Sequence, residues 1–459
     1  MKLKPYLEYK DARIIWLEKI PAHWQEKRAK FLFREIDERS SSGEEELLSV
    51  SHITGVTPRS QKNVTMFKAE SYVGHKVCQP GDVVINTMWA WMAALGVAKH
   101  TGIVSPSYGV YRPLNQQNFL PEYIDQLLRT WGFVAEYNTR STGIRSSRLR
   151  LYPDQFLDIA MPVPPIEEQQ KMIDYLKFEN RKINRFIRNK RSLIKLLNEQ
   201  KQAIINQAVT RGIDHNLRLK PSNIEWAGDI PAHWKMEKLK FHFEFKKGKK
   251  AAELTKDYVG LNRGKYPVYS GQTENDGVLG SINWYEFDFS NPTIFVTTVG
   301  AKAMTTKIVS GKFSLSQNCA LIVPKNESQK INYFQPAIQT LFNFERRNIS
   351  LIMQPSLRFE DLAKFYIPIP PEPEQEEIAE YIQAESNRID HIISRTKREI
   401  EFMQEYRTRL ISDVVIGRID VRDIEIPVLS DEDVVEDLED EELLEEAEAE
   451  LEEDGNTDE

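Results

Sequence analysis

With 459 residues, 41 % of them hydrophobic, the chain has material for about two to four domains with real cores. No apolar run reaches the roughly 18 residues of a membrane span, the N-terminal MKLKPYLEYK lacks the apolar stretch of a signal peptide, and two cysteines, Cys78 and Cys319, point to a reducing cytoplasm rather than a disulfide framework. The net charge of −8 hides an asymmetry: 18 of the 69 acidic residues lie in 431–459, which leaves 51 against 61 Lys and Arg elsewhere, a body of net charge +10. A basic body favours a polyanionic partner such as nucleic acid.

The first marker along the chain is IPAHW at Ile20 to Trp24, because it returns at Ile230 to Trp234, each time with a tryptophan four residues earlier, Trp16 and Trp226. The copies stay in step through Arg28 and Lys238, Phe31 and Phe241, and Phe33 and Phe243, at an offset of 210 residues. MPVPPIEEQ at Met161 to Gln169 recurs as IPIPPEPEQ at Ile367 to Gln375, and VTRGID at Val209 to Asp214 as VIGRID at Val415 to Asp420, both at an offset of 206. The chain reads as an internal tandem repeat of globular segment, proline hinge and long helix.

The globular segments, about 37–160 and 245–366, mix two kinds of signal. VVINTMWAWMAALGVA (Val83 to Ala98) and TIFVTTVGAKAMTTKIV (Thr293 to Val309) read as strands, whereas PEYIDQLLRTWGFVAEY (Pro121 to Tyr137) and YFQPAIQTLFNFE (Tyr333 to Glu345) read as helices. The fold class is therefore α+β. Trp89 and Trp91, two apart on an expected strand, would share one face. They serve either core packing or a base-contacting or interface surface.

Pro162, Pro164 and Pro165 cannot lie within a helix or a central strand, so a helix is expected just after them. Residues spaced alternately by three and four give a seam of Ile173, Leu176, Ile183, Ile187, Ile194, Leu197 and Ile204, broken by Asn180, Lys190 and Lys201 and stopping at Gly212. The second copy gives Ile382, Ile389, Ile393, Ile400, Met403, Leu410 and Val414, broken by Ser386, Thr396 and Arg407. Antiparallel pairing with Ile173 opposite Val414 sets Asn180 against Arg407, Lys201 against Ser386 and Lys190 near Thr396. A parallel pair would instead place two cations in one layer, so two long antiparallel coiled-coil helices are expected.

Chemistry of the catalytic kind is missing from the sequence. There is no GxxxxGK[ST] phosphate loop and no Cys/His cluster with zinc spacing, so no metal site is expected. His23 and His233 read as packing residues beside Trp24 and Trp234, and Asn291-Pro292-Thr293 lacks the second proline and the aromatic of an amino-methyltransferase motif. An enzyme with its own active site, a nuclease or a methyltransferase, is the disfavoured alternative. Basic, hydroxyl-rich loops stand out instead. NTRSTGIRSSRLR before the first hinge offers Arg140, Arg145, Ser146 and Arg148, and ERRNISLIMQPSLR before the second offers Arg346, Arg347, Gln354 and Arg358, types suited to phosphate clamping and base-edge contacts. KKGKK adds Lys246, Lys247, Lys249 and Lys250, the turn YSGQTENDG adds Gln272 and Thr273, and Arg59, Lys62, Trp89, Trp91 and Lys302 complete the candidate DNA-binding set. Any one of these stretches alone would pass for a solvated loop; their repeat-equivalent placement favours DNA.

WLEKIPAHW and WAGDIPAHW at the domain starts, INTMWAWMAALG followed by GIVSPSYGVYRP, YPVYSGQTENDGVLG and the two hinge motifs occur in this order over about residues 5–422. Together they resemble the specificity subunits of type I restriction-modification systems. The resemblance implies a first target recognition domain in 1–160, a hinge and long helix in 161–215, a second recognition domain in 216–366, and a hinge and long helix in 367–422. The acidic tail, 423–459, stands outside it and is expected to be disordered, as a solubilising extension or as a cover over basic DNA-facing surfaces. The resemblance further implies a non-catalytic chain whose domains, at opposite ends of an antiparallel helical pair, each read half of a bipartite, asymmetric site in double-stranded DNA. Its implied partners are two methyltransferase subunits using S-adenosylmethionine, and restriction/translocase subunits using ATP and magnesium; no cofactor is implied in this chain. The alternative is the specificity subunit of a related system whose partner fuses restriction and methyltransferase functions.

Overall fold

The computed structural model describes residues 3–61, 71–115, 117–143, 149–271, 274–300, 302–326, 329–348 and 356–427. The chain divides into two compact units, one of residues 1–190 with 398–459 and one of residues 191–397. The acidic run 431–459 lies outside the described residues, as does the expectation attached to it.

The first unit centres on a four-stranded antiparallel sheet in the order Phe33–Glu35, Gly109–Pro113, Val83–Ile85 and Leu95–Val97. Buried alternate residues of these strands, Phe33, Val83, Ile85, Leu95, Val97 and Tyr111, pack against helices Pro121–Leu128 and Trp131–Arg140. The sequence reading of Val83 to Ala98 as one strand is corrected here. Strands Val83–Ile85 and Leu95–Val97 are joined by a turn and a short 3-10 helix, Ala90–Met92, closed by Ala93 at φ +61°. Trp89 and Trp91 thus sit on a turn rather than on one strand face, and Trp89 is 52 % exposed, which removes core packing for it.

The second unit holds a six-stranded sheet in the order Phe243–Lys246, Cys319–Pro324, Phe287–Thr297, Thr306–Leu315, Arg263–Tyr269 and Val278–Ile282. Its pairs are antiparallel except Arg263–Tyr269 beside Thr306–Leu315. The expected strand Thr293 to Val309 is again two strands joined by a turn, and the expected helix Tyr333 to Glu345 lies within Ile331–Asn348. Asn291 and Pro292 stand at a register shift in strand Phe287–Thr297, where a missing proline N–H disturbs no ladder.

Each hinge ends in a helix, because the carbonyl of its last proline accepts the first orphan N–H groups. Pro165 O takes the amides of Glu168 and Gln169 at 3.0 Å each, and Pro371 O takes that of Gln375 at 3.1 Å. The helices run from Ile166 to Arg211 and from Glu372 to Val415. Both stop at a left-handed glycine, Gly212 at φ +77° and Gly417 at φ +79°.

Within each unit the two helices pack side by side and antiparallel. In the first, Ile173 and Leu176 share a core with Leu410 and Val414; in the second, Leu197 packs with Ile389 and Ile393, flanked by Ile194 and Ile204, and Ala208 and Val209 share a core with Ile382. Ile183 and Ile187 are buried, while Ile400 and Met403 are half-buried. The polar breaks meet other partners than the sequence register sets. Arg407 donates to Asn184 at 2.9 Å, one turn past Asn180; Lys190 pairs with Glu399 at 2.7 Å; Lys201 pairs with Asp390 at 2.7 Å rather than meeting Ser386. A cation beside a seam gains more from a carboxylate or amide a turn away than from a hydroxyl directly opposite. Thr396, buried, satisfies its own hydroxyl on the Ile392 carbonyl at 2.9 Å. No helix among the described residues is long and apolar enough to cross a membrane.

Candidate nucleic-acid interface

A buried carboxylate organises the base of the first unit. Strand Gln25–Arg28 pairs with Ala160–Val163, which brings the IPAHW segment onto the hinge and the start of the long helix. There Glu168 accepts from the Trp24 indole at 3.1 Å, bonds His23 Nε2 at 2.8 Å, and accepts from the Tyr6 hydroxyl. Burial and the bond to Glu168 push the Tyr6 phenol far above its ordinary value, so it remains a donor. Arg422, paired with Asp420 at 2.6 Å, lies 4.9 Å from the Tyr6 ring centre and ties the segment after the second long helix to the same place. Gln169, fully buried, accepts from the Leu120 amide at 2.8 Å and donates to the carbonyls of Asn118 and Pro164 at 2.9 Å each.

The second unit repeats this arrangement. Lys235–Lys238 pairs with Tyr366–Ile369, Glu374 accepts from the Trp234 indole at 2.8 Å and bonds His233 at 2.6 Å, and Gln375 donates to the Pro370 carbonyl at 2.9 Å. Tyr123 donates to the Val415 carbonyl at 2.7 Å, and Tyr333 donates to the carbonyls of Val209 at 3.4 Å and Pro368 at 3.1 Å. His23 and His233, read from sequence as packing residues, are therefore hydrogen-bonded partners of carboxylates, buried Glu168 and half-buried Glu374. Asn216 stands where the repeat offset places the counterpart of Tyr6, so the third donor belongs to the first unit alone.

Away from this base, each unit gathers loops. In the first, the amide of Leu151 bonds the Thr87 carbonyl at 2.9 Å, Thr87 Oγ1 donates to the Ser107 carbonyl at 2.8 Å, and Asn86 Nδ2 donates to the Tyr108 hydroxyl at 3.1 Å. Thr142 and Arg150 exchange backbone bonds at 3.0 and 3.1 Å, and Asn138 Nδ2 reaches the Trp91 carbonyl at 3.5 Å. The turn 86–94, the loop 105–108 and the two flanks of the pre-hinge loop thus meet. In the second unit the amide of Leu357 bonds the Thr298 carbonyl at 2.7 Å, the Thr298 amide bonds the Asn318 carbonyl at 2.7 Å, and the Ser316 amide bonds the Tyr269 carbonyl at 2.9 Å. Lys307 donates to the Asp276 carbonyl and lies 3.9 Å from the Tyr269 ring centre; burial there lowers its ammonium from the usual value.

The candidate residues fare differently. Trp89 is exposed, while the Trp91 indole turns back to donate to the Met88 carbonyl at 3.1 Å. Arg59 opens a short 3-10 helix, Arg59–Gln61, and its amide bonds the Leu47 carbonyl at 2.8 Å. Arg140 pairs with Glu136 at 2.5 Å and Asp158 at 3.6 Å. Arg346 leans on Asn343 at 3.3 Å, and Arg347 and Arg358 are exposed. Exposed Lys302 lies on the turn after strand Phe287–Thr297, next to the Thr298 that holds Leu357. In the basic run, Lys246 pairs with Glu244 at 3.0 Å, Lys247 and Lys250 each lie 4.9 Å from the ring centres of Phe359 and Trp284, and the Lys249 amide is held by Glu286. Lys62, Arg145, Ser146, Arg148, Gln272, Thr273 and Gln354 lie outside the described residues. Sequence reasoning missed Glu168 and Glu374; the signal was the joint duplication of HW and PPxxEQ. Burial pushes the thiols of Cys78 and Cys319, both free, up to about 12, which makes them inert packing groups.

Residues 231–401 match the family model described as "Type I restriction modification DNA specificity domain". The specificity subunit of the type I restriction enzyme MjaVIII of Methanocaldococcus jannaschii is 24 % identical over 344 residues, 68 % of this chain and 73 % of that one. That of the type I restriction enzyme MpnII of Mycoplasma pneumoniae is 31 % identical over 150 residues, 32 % of this chain and 43 % of that one. The chain spans 38 % and 48 % of the length of the first two curated relatives it matches. A solved chain from "Structural basis underlying complex assembly and conformational transition of the type I R-M system" superposes with a TM-score of 0.60 at 16 % identity, covering 87 % of this chain and 99 % of that one, a likeness of fold. Over residues 231–401 the chain thus carries a type I restriction-modification DNA specificity domain, and over two thirds of its length it is similar to the specificity subunits of such systems.

Proposed function

We propose that this chain is the non-catalytic, sequence-reading subunit of a type I restriction-modification complex, and that its two loop clusters each read one half of a bipartite, asymmetric DNA target. What supports this reading is the equivalence of the clusters: one turn after one strand, held by the amide of Leu151 in one unit and of Leu357 in the other. On this reading the duplicated scaffold holds two sites of different surface chemistry, and the long helices receive two methyltransferase subunits. S-adenosylmethionine, ATP and magnesium belong to those partners and to the restriction subunits. Comparing genomic methylation with and without the gene gives the target, and the neighbouring partner distinguishes a type I complex from one with fused restriction and methyltransferase functions. Exchange of residues 37–160 for those of a relative should change one half of the methylated motif and leave the other; change in both halves, or in neither, would exclude the two-site reading.

The same reading makes the helices a spacer. One heptad inserted after Leu197 keeps the seam in phase and lengthens the helix by about 10 Å, close to three base pairs at about 3.4 Å each. The recovered motif should keep both half-sites and gain a longer gap. A gap of unchanged length in the recovered motif counts against a ruler.

A further inference from the structure

The two equivalent turns differ in what they display. Thr87 and Thr298 accept the amides of Leu151 and Leu357, Ala93 and Met304 close their turns in the left-handed region at φ +61° and +65°, and the amides of Asn86 and Thr297 bond the carbonyls of Ala94 and Thr305 at 2.9 and 3.0 Å. These anchors pair Trp89 with Gly300, Trp91 with Lys302 and Met92 with Ala303. The first turn therefore projects a large apolar tip, with Trp89 52 %, Met88 38 % and Met92 37 % exposed, where the second projects Val299, 37 % exposed, with a glycine and a lysine in place of the two tryptophans. The groups that build the scaffold, Trp24, His23 and Glu168 against Trp234, His233 and Glu374, are instead the same in both units.

We propose that the 88–92 turn reads its half-site by apolar contact, with Trp89 seated on the C5-methyl group of a thymine in the major groove. The inference rests on the DNA-recognition reading above and deepens it. A tip of two thioethers and an indole, with the neighbouring Trp91 N–H already engaged by Met88, presents mainly apolar surface to a partner. The thymine methyl is the one apolar feature among the base edges of the major groove. Arg150, half-buried on the flank of the pre-hinge loop that pairs with Thr142, adds a cation to the same loop cluster, which suits a phosphate-bearing partner better than an apolar protein surface. A protein docking alike on both units would find matching surfaces at the two turns; Trp89 against Gly300 does not match. A difference at the tip of the turn, on matching anchors, is what two unlike half-sites require.

The test uses the full chain with its co-purifying subunits and duplexes carrying the methylated motif. In the half-site changed by exchange of 37–160, each thymine is replaced in turn by uracil, which removes only the methyl group. At one position the wild type should bind uracil about fourfold more weakly, the value of one buried methyl. Trp89→Ala should bind thymine and uracil duplexes alike, Trp89→Phe should keep most of the preference, and Lys302→Ala should keep all of it. The proposal is overturned if no thymine is sensitive, if the preference survives in Trp89→Ala, or if Trp89→Ala weakens subunit assembly while motif binding per assembled complex is unchanged. Failure of the wild-type complex to prefer its motif over random duplex would instead remove the DNA-recognition reading itself.

Discussion

Replacement of Glu168 by alanine should destabilise the first unit by about 3–5 kcal/mol, because two buried donors lose their acceptor at once and each orphaned group costs about 1–3 kcal/mol. The Trp24 indole N–H and the Tyr6 hydroxyl both end on this carboxylate, Trp24 is fully buried, and Glu168 is itself only 5 % exposed. Glu374→Ala should cost less, about 1–2 kcal/mol, since Glu374 is 32 % exposed, has no tyrosine partner, and leaves a gap that water can enter. Denaturant unfolding with peptide-level hydrogen exchange separates the two effects. Glu168→Ala should raise exchange in 3–24 and 413–427. Equal losses for the two variants would mean that the carboxylate does not anchor the first unit as described.

Gly417→Ala should cost about 3 kcal/mol, whereas Gly212→Ala, at the equivalent helix end, should cost about 1 kcal/mol. Both residues hold a left-handed φ that a side chain resists, so the strain is shared. The surroundings are not. A methyl group on Gly417 would lie 2.7 Å from Pro21 and 2.8 Å from the Trp24 ring, both closely packed, while one on Gly212 would meet Trp234 at 3.4 Å. The difference in melting temperature between the two variants of the full chain measures the crowding alone. Similar melting temperatures would show that Pro21 and Trp24 yield without cost.

The large-scale organisation was legible because it was written twice. Duplicated IPAHW and PPxxEQ motifs, glycine stops and a three-and-four seam are local signals, and each corresponds to a strand, a cap or a buried helix face. Misreadings arose where a tertiary contact overruled a local one. Val83 to Ala98 has β-branched residues at both ends, and only the tight turn at Ala93 shows that the middle leaves the sheet. The acidic partners of Arg140 were likewise not visible beside it in the loop: Glu136 lies one helical turn back and Asp158 is brought in by folding. The side chains of Lys201 and Arg407 reach partners about a turn from the residues set opposite them, because periodicity counts apolar positions and is blind to where the nearest carboxylate or amide falls. The Trp24 to Glu168 bond spans 144 residues, a distance that no window of sequence reports.

The first unit takes residues from both ends of the chain, so its synthesis is interrupted. Once residue 190 has been made, the 207 residues 191–397 must follow before the helix segment bearing Leu410, Val414 and Val415 exists. At about 5–20 residues per second that is a wait of roughly 10–40 s. During it Tyr123 has no Val415 carbonyl to bond and Ile173 and Leu176 have no opposite face, whereas the second unit, unbroken in sequence, has all its own residues once 397 has been made. The order of completion on the ribosome is therefore the reverse of the order in the gene, and the half begun first is the one that waits longest for its last buried face.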